Sequence, residues 1–76
     1  MKYYKKENVY IRLNEEKLEM LEVFSTLDQC RVFISNNEQV YSLFKRRTVE
    51  HMFTEITKEE FDIYYNNIKE KIQNYE

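Results

Sequence analysis

The 76-residue chain contains neither glycine nor proline, and this feature restricts most strongly what it can form. Without glycine it has no Gly-rich loop to hold a phosphate against backbone N–H groups and no dinucleotide-binding fingerprint. Tight turns must use other residues, of which Asn and Asp best tolerate left-handed backbone. The predicted turns therefore lie at Asn14 and at Asn36 and Asn37.

The segment "FTEITKEEF" predicts the start of a helix over residues 58–74. Thr57 suits the N-cap, and Glu60 three residues later completes a capping box. Ile56 and Phe61 are spaced as a hydrophobic staple. The apolar residues that follow keep helical spacing and form one stripe, which is typical of a core-facing surface: Phe61, Tyr64, Tyr65, Ile68, Ile72 and Tyr75. Ile63 points nearly opposite this stripe.

Strict alternation of apolar and polar residues predicts strands. In "NVYIRLN" (8–14) the inward residues are Val9, Ile11 and Leu13, and "CRVFIS" (30–35) alternates in the same way. Residues 1–6 are predicted to pair as an edge strand whose lysines blunt the edge. In "CRVFIS" the inward residues are Cys30, Val32 and Ile34.

Two segments are open to both helix and strand. Residues 15–27 contain strong helix formers, but they also fit the return arm of a hairpin that turns at Asn14, and the hairpin is preferred. Residues 40–53 are equally ambiguous. The cap at Thr57 favours a last strand, "EHMFTEI" (50–56). The predicted fold is a single α+β domain over residues 1–76, with four or five antiparallel strands in residues 1–56 packed by one C-terminal helix.

Composition predicts an intracellular, soluble protein. No run approaches the ~20 apolar residues of a membrane span, and no signal peptide is expected. A single cysteine, Cys30, excludes an internal disulfide and suits a reducing cytoplasm. The chain has twelve aromatic residues, seven Tyr and five Phe. One helix packed on a sheet does not readily bury so many, and a homodimer is predicted because it would cover the rest.

Catalytic and metal chemistry are not predicted. A pair formed by Cys30 and His51 could supply a nucleophile and a base, but Cys30 fits a buried strand position and His51 fits a partly buried structural role. One Cys and one His do not supply a zinc site, and no cofactor motif is present. We therefore expect a protein that is not an enzyme.

Charged residues fall in blocks along a chain of net charge −2. Two acidic blocks are candidate partner-binding patches: Glu15, Glu16, Glu19 and Glu22, and then Glu55, Glu59 and Asp62. A basic cluster is the candidate nucleic-acid site, because cations can bind phosphates while an aromatic ring stacks on a base: Lys45, Arg46 and Arg47, with Tyr41 nearby.

The opening "KYYK", the following "VY" strand and the closing "TEITKEEF" resemble small proteins of bacteriophages and mobile elements of Bacteroides-type bacteria. The resemblance covers the two ends of the chain. It implies a small accessory protein that acts by binding a host component.

The expected function is thus a non-catalytic protein-interaction module, a phage-encoded inhibitor or regulator of a host defence protein. A nucleic-acid-processing enzyme is a natural target, since acidic patches can occupy phosphate-binding grooves. The alternative is a small nucleic-acid-binding domain that uses the basic cluster.

Overall fold

A computed structural model gives the fold, with the backbone described for residues 1–75 and the side chains for residues 1–72. Tyr75 of the predicted apolar stripe therefore has its side chain outside the described residues. The elements in chain order are β1 (Lys2–Lys6), β2 (Val9–Asn14), β3 (Glu19–Ser25), β4 (Cys30–Ser35), α1 (Glu38–Glu50), β5 (Thr54–Ile56) and α2 (Lys58–Tyr75).

The five strands form one antiparallel sheet in the order β4-β3-β2-β1-β5. The first four follow one another as a meander, which confirms both the α+β class and the hairpin predicted at Asn14. The prediction that β1 is an edge strand is wrong, because β1 lies between β2 and β5. The chain returns after α1 and adds β5 outside it, so that Tyr3 pairs with Ile56 and Lys5 with Thr54.

Helix α2 covers one face of the sheet, here called the α2 face. The predicted N-cap forms, since the Thr57 hydroxyl accepts a hydrogen bond from the Glu60 N–H at 3.2 Å, and Ile56 packs in the same cluster as Phe61. The return bond of the predicted capping box, from the Thr57 N–H to the Glu60 carboxylate, does not form among residues 1–72. The buried core on this face consists of Tyr10, Leu21, Val23, Phe61 and Ile68. Tyr64 ties the helix down, because its hydroxyl donates to the Asn8 carbonyl at 2.9 Å and its ring stacks on Tyr10.

Helix α1 covers the opposite face, here called the α1 face. It is a second helix beside the single helix predicted, and it resolves most of the ambiguous residues 40–53 as helix. The Asn37 side chain caps α1 by accepting from the Gln39 N–H at 2.8 Å and the Val40 N–H at 3.3 Å. The helix is needed because the sheet presents a second apolar face, which Tyr41 covers. The predicted strand 50–56 is correspondingly reduced to Thr54–Ile56.

The two sets of residues predicted to point inward lie on opposite faces. Ile11 and Leu13 belong to the core under α1, whereas Cys30 and Val32 pack with the core under α2. Ile34 is exposed, against the prediction, because β4 is an edge strand and α2 does not cover its end.

The turns place left-handed backbone at residues other than the predicted asparagines. The residues with left-handed backbone are Glu7 (φ 53°), Leu18 (φ 50°) and Met52 (φ 57°). Asn14 acts instead through its side chain, which accepts from the Glu16 N–H at 3.1 Å. Left-handed backbone in a residue with a Cβ costs about 1–2 kcal/mol, so these turns are held by the structure around them.

Candidate functional site

The first acidic block does not form one patch. Successive side chains of a strand point to opposite faces, so Glu19 and Glu22 of β3 lie on different sides of the sheet. Each forms an ion pair with an arginine of the same chain: Glu19 with Arg12 at 3.6 Å and Glu22 with Arg47 at 2.6 Å. Glu15 and Glu16 remain exposed at the β2–β3 turn.

The second acidic block does contribute to a continuous surface. Glu59 lies in the first turn of α2, and Glu55 is exposed on the adjoining edge strand β5. Asp62 is half-buried and lies on the flank of the helix. Neither Glu55 nor Glu59 forms an ion pair with another described residue.

The solvent face of α2 combines these acids with an apolar residue. Residues three, four and seven apart share one side of a helix, which groups five exposed residues into what we call the outer α2 surface: Glu59, Ile63, Asn66, Asn67 and Glu70. Ile63 lies at the centre, and the residue is 65% exposed. Its outward direction was predicted from the helical spacing.

The basic cluster is divided by its helix. Lys45 and Arg46 are exposed on α1, but Arg47 lies against the sheet, paired with Glu22 and positioned over the ring of Phe44 at 5.1 Å. Tyr41 is buried in the core beneath α1. Burial, followed by the negative charge of Glu15, raises the pKa of Tyr41 above its ordinary value. No base can stack on this ring, so two exposed cations remain of the predicted site.

Cys30 and His51 do not meet. Cys30 is half-buried on the α2 face, where its sulfur lies 3.7 Å from the Ser25 hydroxyl. His51 is exposed at the C-terminus of α1 on the other face of the sheet, which corrects the prediction of a partly buried histidine. Within residues 1–72, no three His, Cys, Asp or Glu side chains are grouped so as to hold a metal ion.

A shallow concavity of about 400 Å³ lies where the β1–β2 turn approaches β5 and the start of α2. It brings together charges of both signs, including Lys5, Lys6, Glu55 and Glu60. Two of its other lining residues, Glu7 and Met52, have left-handed backbone. The mixed charge distinguishes this concavity from the uniformly acidic or neutral outer α2 surface.

Sequence reasoning missed one surface, the free edge of β4. Phe33 is 45% exposed on the α1 face and Ile34 is 57% exposed on the α2 face. Together they place apolar side chains on both faces of a strand whose outer edge is unpaired in the described sheet. The available signal was that "CRVFIS" carries a large apolar residue on each of its faces.

Comparisons with protein-family models, with curated proteins and with solved structures gave no significant match to this chain. Neither helix in the part of the chain that the structure describes is both long enough and apolar enough to cross a membrane.

Proposed function

We propose that this protein is a non-catalytic protein-interaction module whose partner-binding site is the outer α2 surface. The observation that carries the proposal is the position of Ile63, a large exposed aliphatic side chain between Glu59 and Glu70 on a helix whose opposite side packs on the sheet. Interfaces commonly have this anatomy, with an apolar centre inside a polar rim.

The charges of this surface indicate the chemistry of the partner. Glu59 and Glu70 present carboxylates on the same side of α2, and Glu55 extends the negative surface onto β5. A basic surface on the partner would be complementary, and such complementarity increases the association rate and excludes other partners. Helices also bind grooves through apolar residues on one side, a common recognition mode.

A phosphate-binding groove of a nucleic-acid-processing enzyme has the required properties, because it concentrates Lys and Arg side chains. Carboxylates of the outer α2 surface would take the place of phosphates in such a groove. With the resemblance to small phage and mobile-element proteins, this supports a phage-encoded inhibitor or regulator of a host defence protein.

The test is affinity capture from lysate of a Bacteroides-type host, read by mass spectrometry for protein and for co-purifying nucleic acid. Two double variants carry the same change in charge: Glu59→Lys with Glu70→Lys on the outer α2 surface, and Glu15→Lys with Glu16→Lys at the β2–β3 turn. The first pair should lose the captured partner and the second should retain it. Ile63→Ala should weaken capture without changing the charge.

Equal capture by both double variants would contradict the proposal. Circular dichroism of each variant shows whether the helices remain, so that loss of binding is separated from loss of structure.

Titration with labelled single- and double-stranded oligonucleotides tests the alternative function. We expect no submicromolar binding near physiological salt, since only Lys45 and Arg46 of the basic cluster are exposed. Tight binding that falls when these two residues are replaced by Ala, with a shallower dependence on salt, would establish a nucleic-acid-binding domain instead.

A further inference from the structure

The two edges of the sheet differ in how they are protected. Strand β5 is three residues long and carries Glu55, and short charged strands are poor templates for further pairing. Strand β4 is six residues long, pairs with β3 without a bulge, and contains one charged residue, Arg31. A regular apolar edge of this kind accepts another strand.

The hydrogen bonding of the β3–β4 hairpin defines which backbone groups of β4 are free. The Thr26 N–H donates to the Gln29 carbonyl at 2.7 Å, which makes these two residues a hydrogen-bonded pair. Hydrogen-bonded and non-hydrogen-bonded pairs alternate along an antiparallel ladder. The N–H and C=O groups of Cys30, Val32 and Ile34 therefore point away from β3.

We propose that a second copy of this chain pairs with β4, antiparallel, with Val32 opposite Val32 of the second copy. This register uses all three outward-pointing residues, because Cys30 then faces Ile34 of the second copy and Ile34 faces Cys30 of the second copy. The result is a ten-stranded sheet across a twofold axis. Centring the pair on Phe33 instead would leave Cys30 of each copy without a partner in the opposing β4.

The side chains are complementary in the same register. The guanidinium of Arg31 lies over the ring of Phe24 at 5.5 Å, and pairing places it beside the exposed ring of Phe33 of the second copy. Cations and aromatic faces attract one another. The two Arg31 residues are never opposite each other, so the edge does not repel itself. On the α2 face, Ile34 is covered by Cys30 of the second copy.

The interface is small. A six-residue strand edge falls below the 20–30 residues per side of a standard interface, so we expect a dissociation constant of roughly 10–100 µM. The edge of β4 is separate from the outer α2 surface, and this proposal does not rest on the proposed function.

Analytical ultracentrifugation between about 10 µM and about 1 mM measures the dimer directly. The decisive comparison is Ile34→Lys against the matched control Ile63→Lys, which places the same charge on an isoleucine of similar exposure on α2. Ile34→Lys should raise the dissociation constant of the dimer at least about tenfold. Ile63→Lys should leave that dissociation constant unchanged. A parent that stays monomeric at the highest concentration, or a dimer unaffected by Ile34→Lys, overturns the proposal.

The register has its own test, the variant Ile34→Cys, which places a second thiol opposite the native Cys30 of the second copy. Oxidised glutathione accepts the two electrons released as each pair of thiols loses its protons and forms a disulfide. We expect a covalent dimer in which peptide mapping links position 34 to Cys30. The control Ile63→Cys should give no such link. A position 34 to position 34 link, or no more cross-linking than in the control, overturns the register.

Discussion

Arg47 is expected to stabilise the fold, and replacing it by Ala should destabilise the protein far more than replacing its neighbours in the basic cluster. Arg47 projects from α1 onto the sheet, where its Nη1 lies 2.6 Å from Oε2 of Glu22. The same guanidinium lies over the rings of Phe44 at 5.1 Å and Phe53 at 5.8 Å. It therefore joins α1, β3 and the segment that leads into β5.

The magnitude follows from the exposure of the pair. The side chains of Arg47 and Glu22 are 36% and 17% exposed, so solvent screens the pair in part, and we assign it about 1 kcal/mol, the upper end for surface pairs. The contact with the aromatic rings adds about 0.5–1 kcal/mol. Arg47→Ala should thus cost about 1.5–2 kcal/mol. In a domain of this size that lowers Tm by about 10 °C.

The assay is urea denaturation followed by circular dichroism, since guanidinium chloride is itself a salt and would screen the pair. Arg46→Ala is the matched control, because it removes the same charge from the next, exposed position and should change stability by less than about 0.5 kcal/mol. A double-mutant cycle with Glu22→Gln should give a coupling energy of about 1 kcal/mol that decreases with added salt. Equal stability of the Arg47→Ala and Arg46→Ala variants would refute the structural role of Arg47.

Three further changes test other parts of the structure. Thr57→Ala removes the acceptor for the Glu60 N–H and should cost about 1 kcal/mol; an unchanged thermal midpoint would contradict the cap. Glu7→Gly should stabilise by about 0.5–1 kcal/mol, because Gly relieves the left-handed backbone at φ 53° at a smaller entropic cost. Glu7→Ala should bring no such gain. Burial raises the pKa of Tyr41 and of Tyr64 above the ordinary value of 10.0. Near and above pH 10.0 the folded state therefore binds more protons than the unfolded chain. The free energy of unfolding should keep its full value below pH 10.0 and fall as the pH rises through the higher folded-state pKa. A denaturation midpoint that does not change above pH 10.0 would rule this out.

The outer α2 surface could be predicted from the sequence, because the helical repeat alone decides which residues share one side of a helix. The capping signals of Thr57 located the helix, and a period of 3.6 residues then placed Ile63 opposite the buried stripe. The first acidic block was not accessible in this way. Four glutamates close in sequence predict one patch, but the alternation of strand side chains and the partners Arg12 and Arg47 separate them.

The sequence alone determined the elements whose signals are local: β2, through alternation, and α2, through its cap and apolar stripe. It favoured the β2–β3 hairpin but left a helix open over residues 15–27, and pairing with β2 and β4 decided for the strand. Only the tertiary structure decided that the sheet has two covered faces. Residues 40–53 fit a helix or a strand by pattern, and the apolar face formed by Ile11, Leu13 and Met20 selects the helix over most of them by giving Tyr41 a place to be buried. Strand β5, and with it which strands lie at the edges, likewise depends on pairing between residues some fifty positions apart, a choice that no local pattern encodes.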